Sequence, residues 1–185
     1  MKAIEVLMNE HRLILRALDA LEAYVAHLDQ PDKSDPRDLG LFVEFIMKFA
    51  DTCHHAKEED ILFEEMVQHG FPKEQGPLAV MLMEHTQGRK YVAELRRLSE
   101  QTTPWSNDDR GQIFEAAMGY VQLLRSHIFK EDHILYPAAE SHLSANLMDD
   151  IFARFEAFEA QKTCPGEHER LHGIAESLVK KYNSA

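Results

Sequence analysis

Two histidine–glutamate pairs stand four residues apart in this sequence, His54 with Glu58 and His127 with Glu131. On a helix, residues i and i+4 lie one turn apart on the same face, so each pair can converge on one point. Two more histidines, His11 and His85, fall on separate upstream segments, each directly after a glutamate. Four imidazoles and two carboxylates form a borderline donor set suited to iron, manganese or zinc, and carboxylates can bridge two ions. A dinuclear metal site is the natural expectation. Burying these six groups in one layer without a cation would cost several kcal/mol in desolvation, which ligation offsets.

The pairs belong to an internal repeat. Residues 54–63 read HHAKEEDILF and residues 127–136 read HIFKEDHILY, matching at His, Lys, Glu, Ile and Leu, with an aromatic closing each. Upstream, NEHRLILR at 9–16 is echoed by MEHTQGR at 83–89. The spacing is also kept: 43 residues separate His11 from His54, and 42 separate His85 from His127. The neighbouring pair His55 and Glu59 has the same spacing, but at ordinary helical periodicity His55 falls beside Lys48, Asp51, Thr52 and Glu59. It is therefore expected on a polar side, and His133 is expected to lean away from His127.

These residues have to be carried by helices. Breaks rich in Pro, Asp, Ser or Gly occur at 30–38, 69–77, 100–108 and 162–166. Between them apolar residues recur at three- and four-residue steps. Ile4, Leu7, Met8, Ile14, Leu15, Leu18, Leu21, Val25 and Leu28 form one stripe that contains His11. A second helix is expected over about 38–68, and a third over about 77–99, with Pro77 in its first turn. A fourth is expected over about 106–141, capped by Asn107 or Asp108, with Ile113, Ala117, Tyr120, Leu124, Ile134 and Ala138 inward. No run alternates with period two. The class is all-α, and four helices joined by short loops imply an up-down-up-down four-helix bundle over residues 1–145. Residues 146–185 read as a helical extension, with helices at about 145–161 and 167–182.

Composition narrows the partners. The 185 residues carry 20 Lys and Arg against 32 Asp and Glu, a net charge of −12 that repels nucleic acid phosphates. The most apolar stretch, 39–50, is broken by Glu44 and Lys48, far short of the roughly 20 apolar residues of a membrane span. Lys2, Glu5 and Glu10 interrupt any signal-like apolar run near Met1. Two cysteines, Cys53 and Cys164, suit a reducing compartment, so a cytoplasmic location is expected.

Taken together, His11, His54 with Glu58, His85, and His127 with Glu131 make residues 3–141 resemble the hemerythrin-like (HHE cation-binding) family. The resemblance implies a four-helix bundle with a non-haem centre of two iron ions, ahead of zinc or manganese. Glu58 and Glu131 would bridge, and the four histidines would be terminal ligands. Oxygen-carrying members use a fifth histidine on the third helix, where this chain has Met81, and an Asp bridge, where it has Glu131. The four-His, two-Glu set looks more like bacterial proteins that repair iron centres or the iron-sensing domain of a ubiquitin-ligase subunit. The small ligand implied is oxygen, peroxide or nitric oxide, bound for sensing, storage or iron handling. The alternatives are an enzyme acting on peroxide or nitric oxide or repairing iron centres, and a purely structural zinc site.

Other candidates are weaker. Residues 168–172 read HERLH, the pattern of zinc proteases, but Ala175 and Leu178 stand where its extended form needs Gly and His. His168 and His172 share a stripe with Leu171, Ala175, Val179 and Tyr182, so they are expected to face the bundle, where either could supply a fifth ligand. Cys53 is expected to be a packed residue, and Tyr91, Tyr120 and Tyr136 to be core.

Overall fold

The computed structural model describes residues 1–30, 32–162 and 166–182, and among them every regular element is a helix. Cys164 and most of the expected break at 162–166 lie outside the described residues. The first helix, α1 (Lys2–Val25), buries the expected stripe through Val25 except for half-buried Met8 and Leu15, and then gives way to turns. Next, α2 (Pro36–Phe45) begins with Asp35 accepting from Arg37 N–H at 3.0 Å and Pro36 in the first turn. Helical backbone then continues unbroken through two widened π segments, Ile46–His55 and Glu58–Leu62, into α3 (Phe63–Gln68). The third long helix is α4 (Gly76–Ser99).

The fourth helical run is α5 (Asn107–Lys130), a π segment at Glu131–Leu135, and α6 (Tyr136–His142). Its cap is Ser106 rather than Asn107 or Asp108. The Ser106 hydroxyl accepts from Asp109 N–H at 3.1 Å, and the Asp109 carboxylate accepts from Ser106 N–H at 2.8 Å. The extension forms α7 (Ala145–Lys162) and α8 (Glu167–Tyr182).

Two of the π segments, Glu58–Leu62 and Glu131–Leu135, sit at equivalent places in the repeat, whereas Ile46–His55 has no counterpart in α5. Phe63 N–H reaches Glu58 O, and Tyr136 N–H reaches Glu131 O, each five residues back. One extra residue in such a turn rotates everything after it relative to α-helical periodicity. That explains why Ile134, expected inward, is 53% exposed while Leu135, Tyr136 and Ala139 are buried, and why Ala138 is only half-buried.

Two apolar clusters enclose a polar layer. One is built from Leu13–Val25 of α1, Leu39–Ala50, the later part of α4 and most of α5. The other takes Ala3–Leu7, Ile61–Met66, Leu78, Met81 and Leu135–Ala139. Each of the four long runs crosses from one cluster to the other, and its histidine or glutamate donors lie at the crossing. The extension seals both: Leu171, Ala175, Leu178 and Tyr182 of α8 join the first cluster, and Met148, Ile151 and Phe155 of α7 join the second. No helix among the described residues is long and apolar enough to cross a membrane.

Candidate metal centre

The polar layer holds His11, His54, Glu58, His85, His127 and Glu131, each no more than 1% exposed. The imidazoles meet in two pairs. His11 Nε2 lies 2.9 Å from His54 Nε2, and His85 Nε2 lies 3.0 Å from His127 Nε2. Two nitrogens bound cis to one ion at about 2.1 Å would stand roughly 3 Å apart. Each pair thus has the separation of donors on a shared ion.

Glu131 joins the pairs: one carboxylate oxygen is 3.3 Å from His11 Nε2 and the other 3.1 Å from His127 Nε2. Glu58 Oε2 stands between the same pairs, 3.7 Å from His54 Nε2 and 3.5 Å from His85 Nε2. Both Glu131 oxygens and Glu58 Oε2 are buried with no hydrogen-bond donor among the described residues. Buried carboxylate oxygens without a partner are expensive, and an ion between each imidazole pair would satisfy all three. The residues present fit a pair of metal ions.

A ring of carboxylates orients the imidazoles through their other nitrogens. His54 Nδ1 meets Glu10 at 2.9 Å, His127 Nδ1 meets Glu84 at 3.0 Å, His11 Nδ1 meets Asp132 at 2.7 Å and His85 Nδ1 meets Glu59 at 2.6 Å. An ionised carboxylate only accepts, so each Nδ1 donates, and each Nε2, once it carries no proton, turns its lone pair to the centre. Cations hold the carboxylates in turn. Lys57 bonds Glu10, Lys130 bonds Glu84, and Arg89 bonds Glu59 at 2.7 Å. Burial opposes ionisation of Glu59, yet His85 and Arg89 outweigh it and hold its carboxyl down at about 2. The arrangement follows the repeat, with Glu10, Lys57 and Asp132 of one subsite matched by Glu84, Lys130 and Glu59 of the other.

Lys57 is completely buried and also bonds Glu159 of α7 at 2.6 Å, which ties the extension to the His54 side. Burial, followed by Glu131 beside it, pushes the Glu58 carboxyl well up. Burial also opposes ionisation of Glu131, but His127 and His11 outweigh it and bring that carboxyl well down.

The family model for the hemerythrin HHE cation binding domain matches residues 2–139. The chain belongs to the hemerythrin HHE cation-binding family. Uncharacterized proteins of Mycobacterium tuberculosis and Mycobacterium bovis are 24% identical to this HHE chain over 160 residues, 86% of it and 62% of their own length. The iron-sulfur cluster repair protein YtfE of Salmonella schwarzengrund is 26% identical over 130 residues, 66% of this chain and 55% of its own length. The chain therefore spans less than two thirds of these relatives. No solved structure matches it.

Several expectations need correction. His55 is buried at 5% exposure, not on a polar side: the π segment Ile46–His55 turns it inward, and its ring stacks on His85 with centroids 3.9 Å apart. Tyr136 is core as expected, and it also stands at the HHE centre. Its hydroxyl donates to Glu58 Oε1 at 2.7 Å, and its ring stacks on His11 at 5.5 Å. The repeat signalled this position, because Phe63 stacks in the same way on His85 at 6.1 Å. His172 is exposed, and His168 is half-buried against Phe49 with centroids 5.3 Å apart, so neither joins the metal-capable groups. His133 is exposed, Met81 packs in the second apolar cluster, and Cys53 is buried.

Proposed function

We propose that this HHE chain is a non-haem di-iron protein, with His11 and His54 terminal on one iron, His85 and His127 on the other, and Glu58 and Glu131 bridging. Its small ligand is oxygen, peroxide or nitric oxide, bound for sensing, storage or iron handling. The scaffold is an up-down-up-down four-helix bundle of residues 1–145 with residues 146–185 as an extension. The alternation of the four long runs between the two apolar clusters supports this topology.

One observation carries the reading: two imidazole pairs at 2.9 and 3.0 Å are joined by a carboxylate whose two oxygens lack any donor. Bound iron would supply open coordination positions for the small ligand. The chain's own residues hold the donors in place, exclude water through the two apolar clusters and keep a proton on the Tyr136 hydroxyl. Burial, then the Glu58 and Glu131 carboxyls nearby, push that phenol well up and make it a donor.

A second reading, repair of damaged iron centres, is favoured by the similarity to the iron-sulfur cluster repair protein. The visible spectrum of the iron-loaded protein, recorded before and after dithionite, azide, peroxide and nitric oxide, tests the first. A charge-transfer band that reduction bleaches and azide shifts is expected. A colourless protein that holds only zinc and ignores all four reagents would contradict it.

A further inference from the structure

The internal repeat breaks its own symmetry at a buried imidazole. Where the second half has Ile128, 3% exposed and packed in the first apolar cluster, the first half has His55. We propose that His55 is a fifth histidine donor, serving the subsite of His85 and His127 and making the two metal subsites unequal. The proposal rests on the two-metal reading above.

Placement supports it. One ligand atom each from His55, Glu58, His85 and His127 lies within 4.8 Å of all the others. His55 Nδ1 is 3.3 Å from the Asp51 carboxylate, which Arg89 binds at 2.8 Å. That is the same carboxylate-and-cation support that Glu59 and Arg89 give His85, and it leaves Nε2 as the atom His55 can offer. Among the described residues the opposite subsite has no counterpart. Its extra polar group is the Tyr136 hydroxyl, 3.4 Å from His11 Nε2 and committed as a donor to Glu58.

The His55 and His85 rings lie within 19° of parallel, so their lone pairs run side by side instead of converging. Ligation needs the His55 ring to tilt. Room for that exists on its outer side, in a cavity of about 270 Å³ bounded by Met47, Gly88, Val92 and Tyr120, with Asp51 and Arg89 at its polar end. A subsite with three histidines and two bridging oxygens holds its ion more tightly than one with two histidines and the same bridges.

The test uses the full chain, stripped of metal and titrated anaerobically with Co(II) by absorption, alongside Mössbauer spectra of ⁵⁷Fe(II)-loaded protein. Wild type should fill in two steps whose affinities differ by about tenfold or more, and give two quadrupole doublets of equal area. His55→Gln should still bind two ions, with the tighter step weakened by about tenfold and the doublets drawn together. His55→Phe, which keeps a buried ring, decides the matter if the Gln variant fails to fold. His11→Ala should keep the tighter ion and lose the weaker one. Unchanged steps and doublets in the folded His55 variants would overturn the proposal. A wild type that takes up no pair of ions would instead overturn the two-metal reading beneath it.

Discussion

The Tyr136 hydroxyl donates to Glu58 Oε1 at 2.7 Å, whereas neither oxygen of Glu131 meets a donor. The two candidate bridges are therefore different in kind. Glu131 has both oxygens to give, one to each imidazole pair, and Glu58 has one oxygen engaged and one directed between the pairs. Tyr136→Phe removes the donor, leaves Glu58 Oε1 buried and unpaired, and should destabilise the metal-free protein by about 1–3 kcal/mol. Loading with metal should recover most of that loss, because Glu58 gains a second oxygen for ligation. Thermal melts of both forms check this, and an equal loss with and without metal would contradict it.

Glu131→Gln keeps shape and removes the charge that joins the two pairs. The variant should bind the second ion at least about tenfold more weakly, since a neutral amide is a poor bridge. Metal-to-protein ratios measured after exhaustive dialysis decide it. Two ions retained at full occupancy would rule out Glu131 as the bridge.

The carboxylates behind the histidines should matter almost as much as the ligands. Glu10→Gln should weaken the ion at His54, and Glu84→Gln the ion at His127, each by about 10–100-fold. Competition with a chromophoric chelator measures both. Glu84→Gln should fold more readily, because Lys130 is partly exposed whereas Lys57, behind Glu10, is fully buried between Glu10 and Glu159.

In the metal-free protein, burial works against a charged His127, but Glu131 and Glu84 outweigh it and hold the imidazole up at about 9. The folded value is raised above the ordinary one of about 6.5. Its contribution to stability is therefore fully present below about pH 6.5 and lost as pH rises through about 9. A metal ion competes for the same nitrogen, so affinity should climb by up to about tenfold per unit across that window and then level off. Co(II) titrations at four pH values with proton release followed by indicator dye check this. Flat affinity without proton release would contradict it.

Helix class, the helix count and the duplicated donors were legible because periodicity and the His-x-x-x-Glu spacing depend only on local geometry. The structure brings His11, His54, Glu58, His85, His127 and Glu131 into one layer, as the repeat suggested. His55 and Ile134 were misread for one shared reason: each was assigned a face by α-helical periodicity, and each lies within a π segment that rotates the helix. Tyr136 is buried as expected, but its hydroxyl contact with Glu58 depends on packing between helices. His172 failed differently, since a stripe drawn on a short terminal helix does not say which edge of the stripe a neighbour covers. The hydrogen-bonding roles of Glu10, Glu84 and Lys57 depend on which helices pack together, which no single segment encodes.

Metal content of the purified chain after anaerobic iron loading and gel filtration tests the central claim most directly. Plasma mass spectrometry should find about two irons per chain in the wild type, and at most about one in a His54→Ala, Glu58→Ala double variant. Fewer than one iron in the wild type, or two still held by the double variant, would contradict the account.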